Sequence, residues 1–301
     1  MEVTPESIEA AALRIEGLIR HTPVLEPEPG LVLKLEQTQV TGSFKARGAS
    51  AFLTAHPEVK RVVAASGGNH GLAVAYSAAR LGLPADIFVP SSSPSAKLSR
   101  IEETGAELHV VDGYYSAALE ASRRFLEEHD AVEIHAYDDP DVVSGQGTCG
   151  REILSQIDDL EAVVVAVGGG GLMGGIASWI RDEATLVAAE TPGTSALHAA
   201  REAGHPVPVQ VGGVAADSLG ARQVGELGFE AARRWVDESV LVDDDDVVAA
   251  QHWLWSRCRL VAEPGGATAL AAFLAGAFPV PSGGKTCIVV SGANTAPGSV
   301  A

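Results

Sequence analysis

Val163-Val164-Val165-Ala166-Val167-Gly168-Gly169-Gly170-Gly171-Leu172-Met173-Gly174-Gly175-Ile176 carries the decisive pattern. A run of β-branched residues ends on four consecutive glycines, and a helix-like apolar segment follows over 172–182. Strand, bare turn and helix in that order belong to an open parallel sheet, where ligands sit at the carboxyl ends of strands. Four glycines remove every Cβ, so successive backbone N–H groups can converge on an anion at a helix N-terminus. No Lys or Arg lies between Val167 and Ile180, which leaves the backbone as the donor. No Lys-Ser or Lys-Thr follows, as a Walker loop requires, and no ribose-binding acid follows at the dinucleotide spacing. A merely flexible turn is the plainer reading, but its place between so apolar a strand and so clear a helix favours a phosphate cradle.

Outward from this stretch the same alternation recurs. Strand-like runs at 61–65, 85–89 and 107–111 precede helix-like segments at 71–81, 95–105 and 116–128. Further strands are expected at 186–190 and 286–290. This predicts an α/β protein with mostly parallel strands covered by helices on both faces. The acidic run Asp243–Asp246 is expected to cap a helix starting near Val247 rather than to cage a cation.

Composition narrows the function. The 301 residues are 46% hydrophobic with 33 glycines, and the net charge of −18 argues against a nucleic-acid partner. Cys149, Cys258 and Cys287 lack metal-ligand spacing and read as reduced thiols. The nine histidines show no zinc motif, so no metal is expected. No stretch approaches a membrane span, and the start M-E-V-T-P-E-S lacks a signal core, so a soluble cytoplasmic protein is expected.

Two further turns follow strands: Ser66-Gly67-Gly68-Asn69-His70 and Ser291-Gly292-Ala293-Asn294-Thr295. The first offers backbone donors and an amide to a carboxylate or phenolate-like oxygen. Thr41-Gly42-Ser43-Phe44-Lys45-Ala46-Arg47-Gly48 places a lysine among small residues, where backbone or ligand can approach its amine.

Taken together with Gly145-Gln146-Gly147-Thr148 and Ala262-Glu263-Pro264-Gly265-Gly266, these motifs resemble the serine/threonine dehydratase and serine racemase family of fold-type II pyridoxal-phosphate enzymes. They occur in family order over almost the whole chain. The resemblance implies a tryptophan synthase β-like fold of two open twisted sheets. A small domain at 61–136 would be inserted into a large domain formed by 1–60 and 137–301. It implies pyridoxal 5'-phosphate as cofactor, held by Lys45 as a Schiff base. Phe44 would back the ring, Asn69 would meet the 3'-oxygen and Ser291 the ring nitrogen. Gly168, Gly169, Gly170, Gly171 and Leu172 would cradle the phosphate, and Glu263 completes the cofactor set. Ser66, Gly67, Gly68, Asn69 and His70 would surround the substrate carboxylate, with Lys45 and Ser66 as the catalytic residues.

The implied reaction is dehydration and deamination of L-threonine or L-serine to a 2-oxo acid and ammonia, in a homodimer. Elimination, replacement or racemisation on another hydroxy amino acid is the enzymatic alternative. A non-catalytic small-anion-binding protein is the alternative of another class. Several positions depart from the pattern. Gly67 stands where racemases of the family carry a serine that works on the face opposite Lys45. Glu190 matches one carboxylate of the family's cation site, but the second falls near Ser195-Ala196. Asp217 or Ser218 is expected at the active-site rim. The chain ends soon after Ser291, so feedback by isoleucine through a C-terminal regulatory domain is not expected.

Overall fold

The structure is a computed structural model, and it describes residues 2–93, 95–280, 283–296 and 298. Helix α1 (Pro5–Arg14) leads into strands β1 (Val24–Glu28) and β2 (Leu31–Lys34), then helix α2 (Lys45–Ala55). Next come β3 (Val62–Ala65), α3 (Asn69–Leu81), β4 (Ala85–Pro90), α4 (Ser95–Glu102), β5 (Glu107–Val111), α5 (Tyr115–Glu128) and β6 (Val132–Glu133). The second half runs α6 (Pro140–Gln156), β7 (Leu160–Ala166), α7 (Gly171–Ile180), β8 (Thr185–Glu190), α8 (Ala196–Ala203), α9 (Ala216–Leu219) and α10 (Glu226–Trp235). It closes with β9 (Glu238–Leu241), α11 (Asp244–Trp253), α12 (Pro264–Leu274) and β10 (Lys285–Val289).

The strands form two sheets. A six-stranded sheet has the order β1-β2-β10-β7-β8-β9, and a four-stranded sheet has the order β5-β4-β3-β6. Every pairing is parallel except β1 with β2. Strand β7 shows why the larger sheet needs helices on both sides. Val163 and Val165 join one core with Met173 and Ile176 of α7. Val164 and Ala166, one residue out of step, join another with Ala267 and Leu270 of α12. The smaller sheet packs Val62, Ala64, Ile87 and Val89 against α3, and the same core takes in Ala49, Phe52 and Leu53 of α2.

The acidic run behaves as a cap. Asp243 is the N-cap of α11, its side chain accepting from the N3 backbone while Asp246 accepts from the Asp243 N–H. Among the described residues, no helix is long and apolar enough to cross a membrane.

Candidate active site

Three turns from strand carboxyl ends meet the S-F-K turn. Ser291 and Gly292 follow β10, and they clasp the segment before α2. Phe44 N–H donates to the Ser291 carbonyl at 3.1 Å, Ala293 N–H donates to the Gly42 carbonyl at 2.9 Å, and Ser43 bridges Gly292. Lys45 is thereby fixed at the start of α2, beside the ends of β10 and β7.

Between these turns lies a cleft of about 480 Å³, solvent mouth included. All ten residues expected to hold the cofactor line it: Phe44, Lys45, Asn69, Gly168, Gly169, Gly170, Gly171, Leu172, Glu263 and Ser291. The remaining substrate-loop residues, Ser66, Gly67, Gly68 and His70, are not in its lining but lie on the turn that leads through Asn69 into α3. Helix α3 starts at Asn69, two residues earlier than the sequence pattern suggested, with Gly68 as N-cap. Its first-turn N–H groups have no acceptor within the helix, which suits a carboxylate. Gly68 N–H itself donates to Ser66 Oγ at 3.3 Å.

The His70 side chain is engaged within the fold. It is buried, with Nε2 against the Ile134 carbonyl at 2.8 Å. Burial, with the Lys45 charge adding to it, pushes its pKa down to about 3 against the lift from the Ile134 bond. A neutral imidazole turned onto a backbone carbonyl leaves His70 only its main-chain N–H to offer.

Lys45 Nζ donates to the Ala136 carbonyl at 2.7 Å and lies 5.1 Å from the Phe44 ring centroid. Burial lowers its pKa to about 8. Ser291 is buried, and its hydroxyl reaches the Gly265 carbonyl only at 3.5 Å, leaving it able to serve another partner. Ser218 Oγ accepts from Gly265 N–H at 3.0 Å, so this cleft-lining residue is tied to the start of α12.

The tetraglycine is bare because each position is hemmed in. A Cβ on Gly168 would stand 3.0 Å from the Leu219 backbone, and one on Gly171 would stand 2.9 Å from the Tyr137 carbonyl. Gly170 has φ +86° and would meet Val224 Cγ2 at 2.7 Å, while a Cβ on Gly169 would run into the Tyr137 ring. Tyr137 and Leu219 are cleft residues that sequence reading missed. Tyr137 precedes Asp138 and the α6 N-cap Asp139, and nothing in that order announces a ring packed on Gly169. Burial, reinforced by Tyr115 and Asp138, raises its pKa and keeps the phenol protonated.

Glu190 ends β8, but both its oxygens are engaged by the start of α8. They accept from Leu197 N–H at 2.9 Å and His198 N–H at 2.7 Å. Burial pushes its pKa up to about 8 against those two bonds. With Ser195 and Ala196 at the other expected position, the donor set does not make the family's two-carboxylate cation site.

These parts fit pyridoxal phosphate: a Cβ-free helix start for a phosphate, a lysine amine of lowered pKa, and a buried hydroxyl for the ring nitrogen. A family model described as pyridoxal-phosphate dependent enzyme matches residues 15–292. The chain belongs to that family. This pyridoxal-phosphate dependent enzyme is 35% identical over 305 residues to an L-threonine ammonia-lyase of Thermotoga maritima, covering 97% of the chain and 76% of the relative. It is 34% identical over 302 residues to a phenylserine dehydratase of Ralstonia pickettii, covering 96% and 92%. The structure of maize serine racemase superposes with a TM-score of 0.93 at 32% identity, covering 99% of this chain and 96% of that one.

Proposed function

We propose that the enzyme dehydrates and deaminates L-threonine or L-serine, releasing a 2-oxo acid and ammonia. The observation that carries this is the Lys45 amine, lowered to about 8, in one cleft with the bare helix start at Gly168–Gly171. Pyridoxal phosphate, when bound, supplies the electron sink that makes an amino-acid α-proton acidic. Lys45 would carry the cofactor and, once displaced by the substrate amine, its neutral amine would take the α-proton. The N–H groups opening α7 would hold the phosphate, and those opening α3, with Ser66, would hold the substrate carboxylate and turn its Cα–H toward Lys45. Ser291, a hydroxyl rather than a carboxylate, would leave the ring nitrogen unprotonated, which favours prompt loss of the β-hydroxyl.

Support comes from the named activities of the relatives, two of which remove water or ammonia from β-hydroxy amino acids. Gly67 offers no proton donor on the face opposite Lys45, which sets dehydration ahead of racemisation. We further take 61–136 as a small domain set on the large one, and the working unit as a cytoplasmic homodimer. Sedimentation equilibrium tests the dimer. The function itself is tested with L-serine, L-threonine, L-phenylserine and their D-isomers, assayed for 2-oxo acid and ammonia. Release from L-serine or L-threonine is expected, and release from none of the panel would refute the reading. A protein that takes up pyridoxal phosphate yet turns over no amino acid would point instead to the anion-binding alternative.

A further inference from the structure

The two ends of an asparagine amide look alike until neighbours decide which is oxygen and which is nitrogen. For Asn69 the decision comes from both sides. Its Nδ2 donates to Glu263 Oε1 at 2.6 Å, and its Oδ1 accepts from Asn294 Nδ2 at 2.5 Å. Asn294 is oriented in turn: Nδ2 also donates to the Thr41 carbonyl at 2.9 Å, and Oδ1 accepts from the Arg100 guanidinium. A guanidinium has only donors and a backbone carbonyl only acceptors, so Arg100 and the Thr41 carbonyl fix Asn294, and through it the polarity of the run Arg100–Asn294–Asn69–Glu263. Flipping either amide would set donor against donor or acceptor against acceptor. The run joins α4, the loop after β10, the first turn of α3 and the N-cap of α12. Gly42, at φ +75°, makes room for it, since a Cβ there would stand 2.5 Å from Asn294 Oδ1.

We propose that Asn294 is a positioning residue of this site. By occupying Asn69 Oδ1, it reserves the second Nδ2 hydrogen of Asn69 for an oxyanion in the cleft, and Arg100 fixes the polarity from outside. The inference rests on the proposed function, in which that oxyanion is the 3'-oxygen of the cofactor. Asn294→Asp keeps the shape and the acceptor for Arg100 but removes the donor to Asn69. Its carboxylate then faces Asn69 Oδ1, favouring the flipped amide.

The test titrates cofactor-free protein with pyridoxal phosphate and follows the visible absorbance of the bound cofactor against pH. Asn294→Asp should weaken cofactor binding about tenfold, as loss of a part-buried hydrogen bond implies. It should also shift the pH midpoint of the visible band, while thermal unfolding of the cofactor-free protein stays close to wild type. Arg100→Ala should move both readouts in the same direction, and Arg100→Lys, still a pure donor, should restore them. A wild-type spectrum, midpoint and affinity in Asn294→Asp would overturn the inference, as would a fall in thermal midpoint alone. Wild-type protein that takes up no pyridoxal phosphate would refute the proposed function itself, and this inference with it.

Discussion

Lys45 is one of five lysines in the chain. Buried Lys34 is ion-paired to Glu152, whereas Lys45 has no salt-bridge partner among the described residues and desolvation lowers its pKa to about 8. At pH 7 roughly one amine in ten is then neutral, against fewer than one in a thousand for a lysine near 10.4. The neutral fraction grows as pH rises through about 8. Acylation of cofactor-free protein, followed by peptide mapping, should therefore modify Lys45 first, with a midpoint near 8. Borohydride reduction of the loaded enzyme should fix the cofactor on the same peptide, and a label on Lys34 or Lys285 would rule the assignment out. Gly67 carries a second expectation: pyruvate release from L-serine should far exceed D-serine formation. Chiral analysis of recovered serine checks it, and comparable rates would show that another group donates the proton. The group to suspect is Ser93, whose Oγ lies 2.8 Å from where a Cβ on Gly67 would stand. The residues that meet in the cleft were legible because each motif is short and contiguous. Tyr137 was not, since its contact with Gly169 depends on how two separate turns meet.

The glycine turn after β7 shows how an element can be read correctly for an incomplete reason. Sequence reading took the missing side chains as room for a phosphate. The structure adds that Gly168, Gly169 and Gly171 are pressed against Leu219 and Tyr137, and that Gly170 alone adopts a left-handed backbone. Two variants should therefore separate. Gly169→Ala puts its Cβ into Cγ, the root of the Tyr137 ring, so cofactor affinity should fall about tenfold at an overpacking cost of about 1–3 kcal/mol. Gly170→Val also forces a β-branched residue to positive φ, costing roughly 1–2 kcal/mol or more, and should lower the thermal midpoint further. Cofactor titration and thermal unfolding of both proteins check this. Wild-type affinity in both would move the phosphate site elsewhere. The strands at 107–111 and 186–190 and the helix over 116–128 were legible because their apolar runs are bounded by turns. The edge strand β1, Val24–Glu28, was not: it includes Pro27 and pairs antiparallel with β2 through an irregular register.

Across the whole molecule, a buried ion network ties the lysine turn to the larger sheet, and its partners are too far apart in sequence to be read there. Lys34 ends β2, a strand buried at every position. Its amine donates to Glu152 at 2.5 Å, Gln156 at 2.8 Å and the Thr22 carbonyl at 2.8 Å. Arg47, two residues beyond Lys45, is fully buried; its Nε and Nη2 donate to Glu36, both at 2.7 Å, and its Nη1 and Nη2 donate to Glu152 at 2.7 and 2.9 Å. Burial alone would raise the Glu152 pKa, but the Arg47 bonds and charge, joined by Lys34, hold it at about 2. Removing Arg47 strands the buried Glu36 carboxylate and leaves Glu152 with Lys34 alone, so Arg47→Ala should cost about 3–5 kcal/mol and loosen the start of α2. The acid dependence gives a sharper test. A carboxyl held at about 2 when folded and near 4.3 when unfolded contributes stability that is full above about 4.3 and lost as pH falls toward 2. Glu152→Gln has no carboxylate to take up a proton there. Urea unfolding of wild type between pH 5 and 2 should therefore show up to about 3 kcal/mol more loss than the variant. If the two proteins lose stability in parallel over that window, Glu152 is not held charged by Arg47, and the anchor beneath Lys45 is held by packing rather than by the ion network.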